Sequence, residues 1–239
     1  MSGHSKWATT HRQKAVVDAK RGAVFTKMAN IITIAARGGG DPDANPSLRA
    51  AVDRARSVSM PKDNIERAIK KGTGELGGEQ VSELYYEGVG QGGLQLVIKC
   101  ITDNKNRSAS TVRHTLSKYG AALGNVLWNF EQKGVIMIDR SEIDAQKINT
   151  EELELELIDS GLDDMKVEEE GLTLYCRVES LQELKNNLEQ RGLKIESANI
   201  EYVAKEKINL DEASLNTIDK LLEELDDNED VSDYYSNLA

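Results

Sequence analysis

Between Gly134 and Val203 the apolar pattern switches between a period of two and a period of 3.6 in one particular order, and that order leaves few ways to fold. A strand through Val135-Ile136-Met137-Ile138 precedes a helix over Glu151 to Asp159. A hairpin follows, Met165 to Glu169 and Leu172 to Val178, turning at Glu170-Gly171. A helix from Ser180 to Arg191 and a strand from Lys194 to Val203 complete the series. Strand, helix, strand, strand, helix, strand is the split βαβ order of a ferredoxin-like domain.

The flanks follow from what this unit leaves over. Before it, Ser82 to Glu87 and Leu94 to Thr102 read as strands, Arg107 to Tyr119 as a helix with Val112 and Leu116 inward, and Val126 to Phe130 as a further strand. After it come an amphipathic helix, with Leu210, Leu215, Ile218, Leu222 and Leu225 on one face, and a strand from Val231 to Tyr235. The middle segment lacks a helix and a strand to complete its layer, and the tail supplies one of each. The ferredoxin-like unit is therefore expected as an insertion.

Ahead of both lies an all-helical pattern. From Lys14 to Arg37 the residues Val17, Val24, Met28, Ile31 and Ala35 recur at helical spacing, and Gly38-Gly39-Gly40 ends the run. Asn45-Pro46 offers a cap and a first-turn proline for a second helix that buries Leu48, Ala51, Val52 and Ala55. Met60-Pro61 opens a third, with Ile65 and Ile69 inward, and the glycines of 72–78 make a linker. The fold class is α+β: a helical bundle and two α+β domains, one ferredoxin-like and inserted into the other. The expected division is 1–79, 80–132 with 205–239, and 133–204.

Charge is distributed just as unevenly. Residues 1–72 carry fourteen basic and six acidic side chains, 73–130 five of each, and 131–239 eleven basic and thirty acidic, so the three stretches are +8, 0 and −19. A sequence pI near 4.9 would argue against nucleic acid, but a field is local, and a basic module can bind phosphate while an acidic body points away. Lys6, His11, Arg12 and Lys14 interrupt every early apolar run, and no stretch approaches a membrane span of roughly 20 apolar residues. A cytoplasmic, monomeric protein is expected, with no membrane partner.

Candidate catalytic chemistry fails on context. Gly88-x-Gly90-x-x-Gly93 has the spacing of a dinucleotide fingerprint but leads into the strand LQLVIKCIT, where a pyrophosphate site needs a helix N-terminus. His4, His11, His114, Cys100 and Cys176 show no metal-ligand spacing, and both cysteines lie in apolar strand-like runs that suit buried free thiols. Glu168-Glu169-Glu170 and Asp226-Asp227 read as solvated turns. No nucleophile and base can be placed together, so no enzyme, cofactor or metal is expected.

Nucleic-acid chemistry fares better. His4, Lys6, Trp7, His11, Arg12 and Lys14 combine cations with groups that stack and hydrogen bond, and Lys20, Arg21 and Lys27 border the apolar stripe of the first helix. Packing of Trp7 on the bundle as a staple is the competing reading. Arg67, Lys70 and Lys71 point away from the core of the third helix. Asp103-Asn104-Lys105-Asn106-Arg107 forms a second polar cluster at a helix start, where anion binding and simple capping by Asn104 or Asn106 both fit, and Asn104, Lys105 and Arg107, with Arg113 further along, are candidates for contact. The expected partner is DNA, or ribosomal or transfer RNA and with it the ribosome; a further alternative is a protein-interaction adaptor that binds a basic protein through the acidic ferredoxin-like domain.

Gly3-His4-Ser5-Lys6-Trp7, Asp18-Ala-Lys-Arg21, Phe25-Thr-Lys27, Gly39-Gly-Asp-Pro-Asp-Ala-Asn-Pro46, Met60-Pro-Lys-Asp-Asn-Ile-Glu-Arg-Ala-Ile-Lys70, Tyr86-Glu-Gly88, Thr102-Asp-Asn-Lys-Asn-Arg107 and Val112-Arg-His114 together resemble the YebC family of bacterial and organellar proteins across essentially the whole chain. The resemblance implies three domains, helical first, and no known enzymatic activity. It also implies a DNA-binding transcriptional regulator, or a translation factor like the mitochondrial activator of cytochrome c oxidase synthesis. The chain departs from the family pattern at Leu123-Gly124-Asn125-Val126, where relatives carry a longer loop, and at Tyr235-Ser-Asn-Leu238.

Overall fold

The structure, a computed structural model, describes residues 21–77 and 81–239. These separate into two compact units, one ending at Leu127 and resuming at Lys207, the other running from Trp128 to Glu206.

Helix α1 (Arg21–Ala35) continues into a 3-10 turn (Ala36–Gly38) and packs on α2 (Pro46–Ser57) and α3 (Lys62–Gly72). Its fully enclosed lane is Val24, Met28, Ile32 and Ala36, while Ile31 and Ala35, expected at the centre, are only partly buried. The reason is a second wall. α1 also touches β2 (Gln95–Thr102) and β8 (Val231–Ser236), so its inward arc is wider than one stripe.

Local chemistry sets the bundle's turns. The Asn45 side chain accepts from Leu48 N at 3.1 Å and donates to the carbonyls of Ala35 and Gly39, both at 2.8 Å, so one residue caps α2 and closes the end of α1. Between α2 and α3, Ser59 adopts φ 59° while Met60 N reaches Ala55 O at 3.0 Å and Ser59 N reaches Arg56 O at 2.9 Å, a Schellman closure that tucks Met60 inside. Gly72 lets α1 and α3 touch, since a Cβ there would collide with the Thr33 carbonyl and Ala36.

β1 (Ser82–Val89) and β2 form an antiparallel hairpin, α4 (Lys105–Lys118) follows, and β3 (Ala122–Leu123) adds a short edge. The tail returns as α8 (Glu212–Asp227) and β8, and β8 pairs antiparallel with β2, giving the order β3-β1-β2-β8. Leu96, Ile98 and Cys100 of β2 meet Val112 and Leu116 of α4 and Ile218, Leu221, Leu222 and Leu225 of α8 in one core.

The inserted unit contains β4 (Phe130–Asp139), α5 (Arg140–Gln146), α6 (Thr150–Ile158), β5 (Leu162–Val167), β6 (Gly171–Cys176), α7 (Leu181–Gln190) and β7 (Ser197–Ala204). Its sheet order, β5-β6-β4-β7 with every neighbouring pair antiparallel, is that of a ferredoxin-like domain. Ile136, Ile138, Leu172, Leu174 and Cys176 form a core with Leu153, Leu157, Leu184 and Leu188 of α6 and α7.

Two local expectations are corrected. Val126 to Phe130 is not a strand of the first sheet: Leu127–Asn129 forms a 3-10 turn, and Phe130 opens β4, which pairs with β7 from Phe130↔Ala204 onward. That pairing moves the boundaries from 132/133 and 204/205 to 127/128 and 206/207. A helix not expected, α5, is capped by Asp139, whose side chain accepts from Ser141 N at 2.8 Å.

Candidate nucleic-acid interface

Taking about 100° per residue, Arg67, Lys70 and Lys71 lie within about 100° of one another on the side of α3 opposite Ile65, Ala68 and Ile69. Arg67 and Lys70 are exposed and Lys71 is half-buried, and none of the three makes an ion pair among the described residues. Arg54, exposed on α2, is also without one. Other cations of the bundle have internal partners. Arg49 donates to the carbonyls of Pro42 and Asp43, Arg56 pairs with Asp53, Lys62 with Glu66, and Arg37 donates to the Val81 carbonyl.

The polarity of α3 matters for what it can read. Its N-terminal turns carry Asp63 and Glu66, while Lys70 and Lys71 occupy its last turn. Carboxylates at a helix N-terminus complement the macrodipole, as do cations at its C-terminus. A recognition helix presents its N-terminal residues to base edges in the major groove, and here that end holds Asp63 together with a Lys62–Glu66 ion pair. The cationic end suits phosphate.

The second polar cluster is largely committed to the fold. Asn104 caps α4, its side chain accepting from Arg107 N at 3.0 Å. Arg107 forks onto buried Asp230, with Nε to Oδ2 at 3.3 Å and a terminal nitrogen to Oδ1 at 3.0 Å, and also meets Asp103 at 3.1 Å. These bonds fasten the start of α4 to the start of β8, and the Asn104 side chain serves as the cap. Lys105 and Arg113 remain exposed and make no ion pair among the described residues.

Lys27 likewise has an internal partner. Its ammonium donates to the main-chain carbonyl of Asp226, at the C-terminal turn of α8, at 2.5 Å. Burial holds its pKa below the ordinary 10.5, the neighbouring Asp226, Asp233 and Asp227 oppose that shift, and Arg54 adds to it. Asn30 donates to the Ile101 carbonyl at 3.2 Å. With Arg37 on Val81, three side chains of the α1 segment thus bond to main-chain carbonyls outside the helical bundle. Sequence periodicity could not find them, because each looks like a solvent-facing residue until a second wall is in place.

His4, Lys6, Trp7, His11, Arg12, Lys14 and Lys20 lie outside the described residues, and Arg21 opens α1. Elsewhere, Cys100 and Cys176 are buried free thiols, each pushed up to about 11 by burial. Among the described residues no group of three His, Cys, Asp or Glu is placed to hold a metal ion, and no helix is long and apolar enough to cross a membrane. A cleft of about 200 Å³ between the β1–β2 turn and α8, lined by Gln91, Leu94, Tyr119, Ser214, Thr217 and Leu221 among others, is smaller than the roughly 300 Å³ at which small-molecule sites begin. Among the described residues the Tyr119 phenol is the one ionisable group that lines it, and that hydroxyl donates to Glu224 at 2.8 Å.

Comparison with known proteins matches both parts of the chain. Residues 5–75 fit the family model described as the TACO1/YebC protein N-terminal domain, and residues 81–238 fit that described as the TACO1/YebC second and third domain. A protein of Halothermothrix orenii named "Probable transcriptional regulatory protein" is 43% identical over 242 residues, covering 99% of this chain and 94% of that protein. One of Thermotoga maritima with the same name is 44% identical over 241 residues, covering 99% and 93%. The crystal structure of a conserved hypothetical protein from Aquifex aeolicus superposes with a TM-score of 0.80 at 40% identity, covering 93% of this chain and 92% of that one.

Proposed function

The chain belongs to the TACO1/YebC family, and from that premise we propose that it is a non-enzymatic regulator of gene expression that grips nucleic acid through the basic helical region, residues 1–79. The observation that carries this reading is the set of exposed cations Arg54, Arg67 and Lys70, with Lys71 beside them, which make no ion pair among the described residues, whereas Arg56 and Lys62 are paired and Arg37 and Arg49 bond to main-chain carbonyls. Lys6, Arg12, Lys14, Lys20 and Arg21 extend the same charge toward the amino terminus. Transcriptional control on DNA is the role that the relatives' names favour.

A second reading, contact with ribosomal or transfer RNA during translation, draws support from Asp63 and Glu66. A leading end on α3 with Asp63 unpaired among the described residues and Glu66 tied to Lys62 is a poor reader of base edges, whereas recognition by phosphate and shape needs no such reader.

In the full-length chain, replacing Arg67, Lys70 and Lys71 with Gln is expected to weaken binding alike across sequences. The slope of log K against log salt should become shallower by roughly 2 to 3, at about 0.7 to 0.9 for each phosphate no longer neutralised. Preference among duplex DNA sequences should stay below about tenfold, against the roughly 10³-fold of specific regulators. An unchanged salt slope overturns the interface. Crosslinking in cells that returns discrete promoter DNA, without ribosomal or transfer RNA, decides for transcription.

A further inference from the structure

α6 carries apolar residues on two sides. With about 100° per residue, Leu153 and Leu157 face the core of the inserted unit, and Leu155 and Ile158 sit on the opposite side within about 60° of each other. Leu155 is 69% exposed and Ile158 54% exposed. Helix propensity does not account for Ile158: Glu, Lys or Ala would serve an outer position better than a β-branched Ile, which loses χ1 freedom there. Glu151 lies one turn before Leu155 and Glu154 one turn before Ile158, with Glu152 and Asp159 at the margins. None of these four carboxylates makes an ion pair among the described residues; Glu156, on another side, is taken by Arg191. Residues 128–206 hold nine basic and twenty acidic side chains, a net of −11.

We propose that this outward face of α6 is a docking site for a protein segment rich in lysine or arginine that carries apolar anchors about one helical turn apart. The occupant follows from complementarity. An apolar pair covered by a partner excludes water, and a ring of unpaired carboxylates selects a cationic rim around it. The same field repels phosphate, so nucleic acid and anionic lipid surfaces are poor occupants. The site is independent of the proposed nucleic-acid interface, and either can fail without the other.

The test uses the full-length chain and a fluorescent amphipathic Lys/Leu helical peptide, with a Lys/Ser peptide of equal charge as control, read by anisotropy at about 0.15 M ionic strength. The Lys/Leu peptide should bind, and the control should bind about tenfold more weakly or worse, as expected when a few anchors carry most of the affinity. Leu155→Ser with Ile158→Ser should abolish that preference while the melting temperature stays near that of wild type, and Leu155→Met with Ile158→Met should retain it. Glu151→Gln with Glu154→Gln should weaken binding and flatten its salt dependence. Equal binding of the two peptides, an unchanged affinity in the serine variant, or no binding to the wild type overturns the site. So does an RNA oligonucleotide whose binding is lost in the serine variant.

Discussion

α1 and α6 are both apolar around more than one side, yet they end in different surroundings. α1 lies between a helical wall, α2 and α3, and a strand wall, β2 and β8, so its lane from Val24 to Ala36 and its polar residues Lys27 and Asn30 are all engaged. Among the described residues α6 has one wall, behind Leu153 and Leu157, and Leu155 and Ile158 face outward. The difference teaches that a short helix without a single apolar stripe is built for two walls. Where the chain supplies both, the helix is core; where it supplies one, the exposed side is a surface with a use.

The sharpest way to break the comparison is to truncate one apolar residue on each helix. Ile32→Ala, at a fully buried position, is expected to cost about 2–5 kcal/mol in urea unfolding. Leu155→Ala should change stability by no more than about 0.5 kcal/mol. Similar losses at the two positions would mean that α6 also has a second wall.

A smaller effect is expected at the junction that holds α1 to its helical wall. Asn45→Ala removes the α2 cap and both bonds to the end of α1, for a cost of about 1–2 kcal/mol in thermal or chemical denaturation. Asn45→Asp keeps the acceptor but not the donors, so retention of most of that stability would assign the effect to the cap alone.

The smallest effect concerns the strand wall. Because burial lowers the Lys27 pKa from 10.5, the unfolded chain binds that proton more tightly than the folded one does. Stability should therefore rise with pH on approach to 10.5 more in the wild type than in Lys27→Met, with a flat difference near neutrality. A difference that falls with rising pH would place the ammonium in a stabilising, solvent-exposed pairing instead.

Much of this architecture is legible because its signals are local. The order β-α-β-β-α-β, the Asn45-Pro46 helix start and the return of the tail to complete the first sheet follow from periodicity and turn residues. What is not legible depends on distant neighbours. Lys27 and Arg107 look like solvent cations until Asp226 and Asp230, some 199 and 123 residues away, are brought beside them. β4 begins earlier than its apolar run because Glu131, Gln132 and Lys133 are polar, and only pairing with β7 makes them strand. α5 did carry a signal, Asp139 followed three residues later by Glu142, in the pattern of a capping box.

The pairing of β8 with β2 also sets an order of events during synthesis. Trp128 to Glu206 contains a complete sheet and its own core, so that unit has been synthesised whole while the first sheet still lacks α8, β8 and the four apolar residues, Ile218, Leu221, Leu222 and Leu225, that close it. At roughly 5–20 residues per second, the stretch from Lys207 to Ser236 takes a few seconds to make. Through that interval β2 presents an open edge, with Leu96 and Ile98 uncovered by α8. The first sheet is thus closed by the last segment made, although its own strands β1 and β2 are made more than a hundred residues earlier.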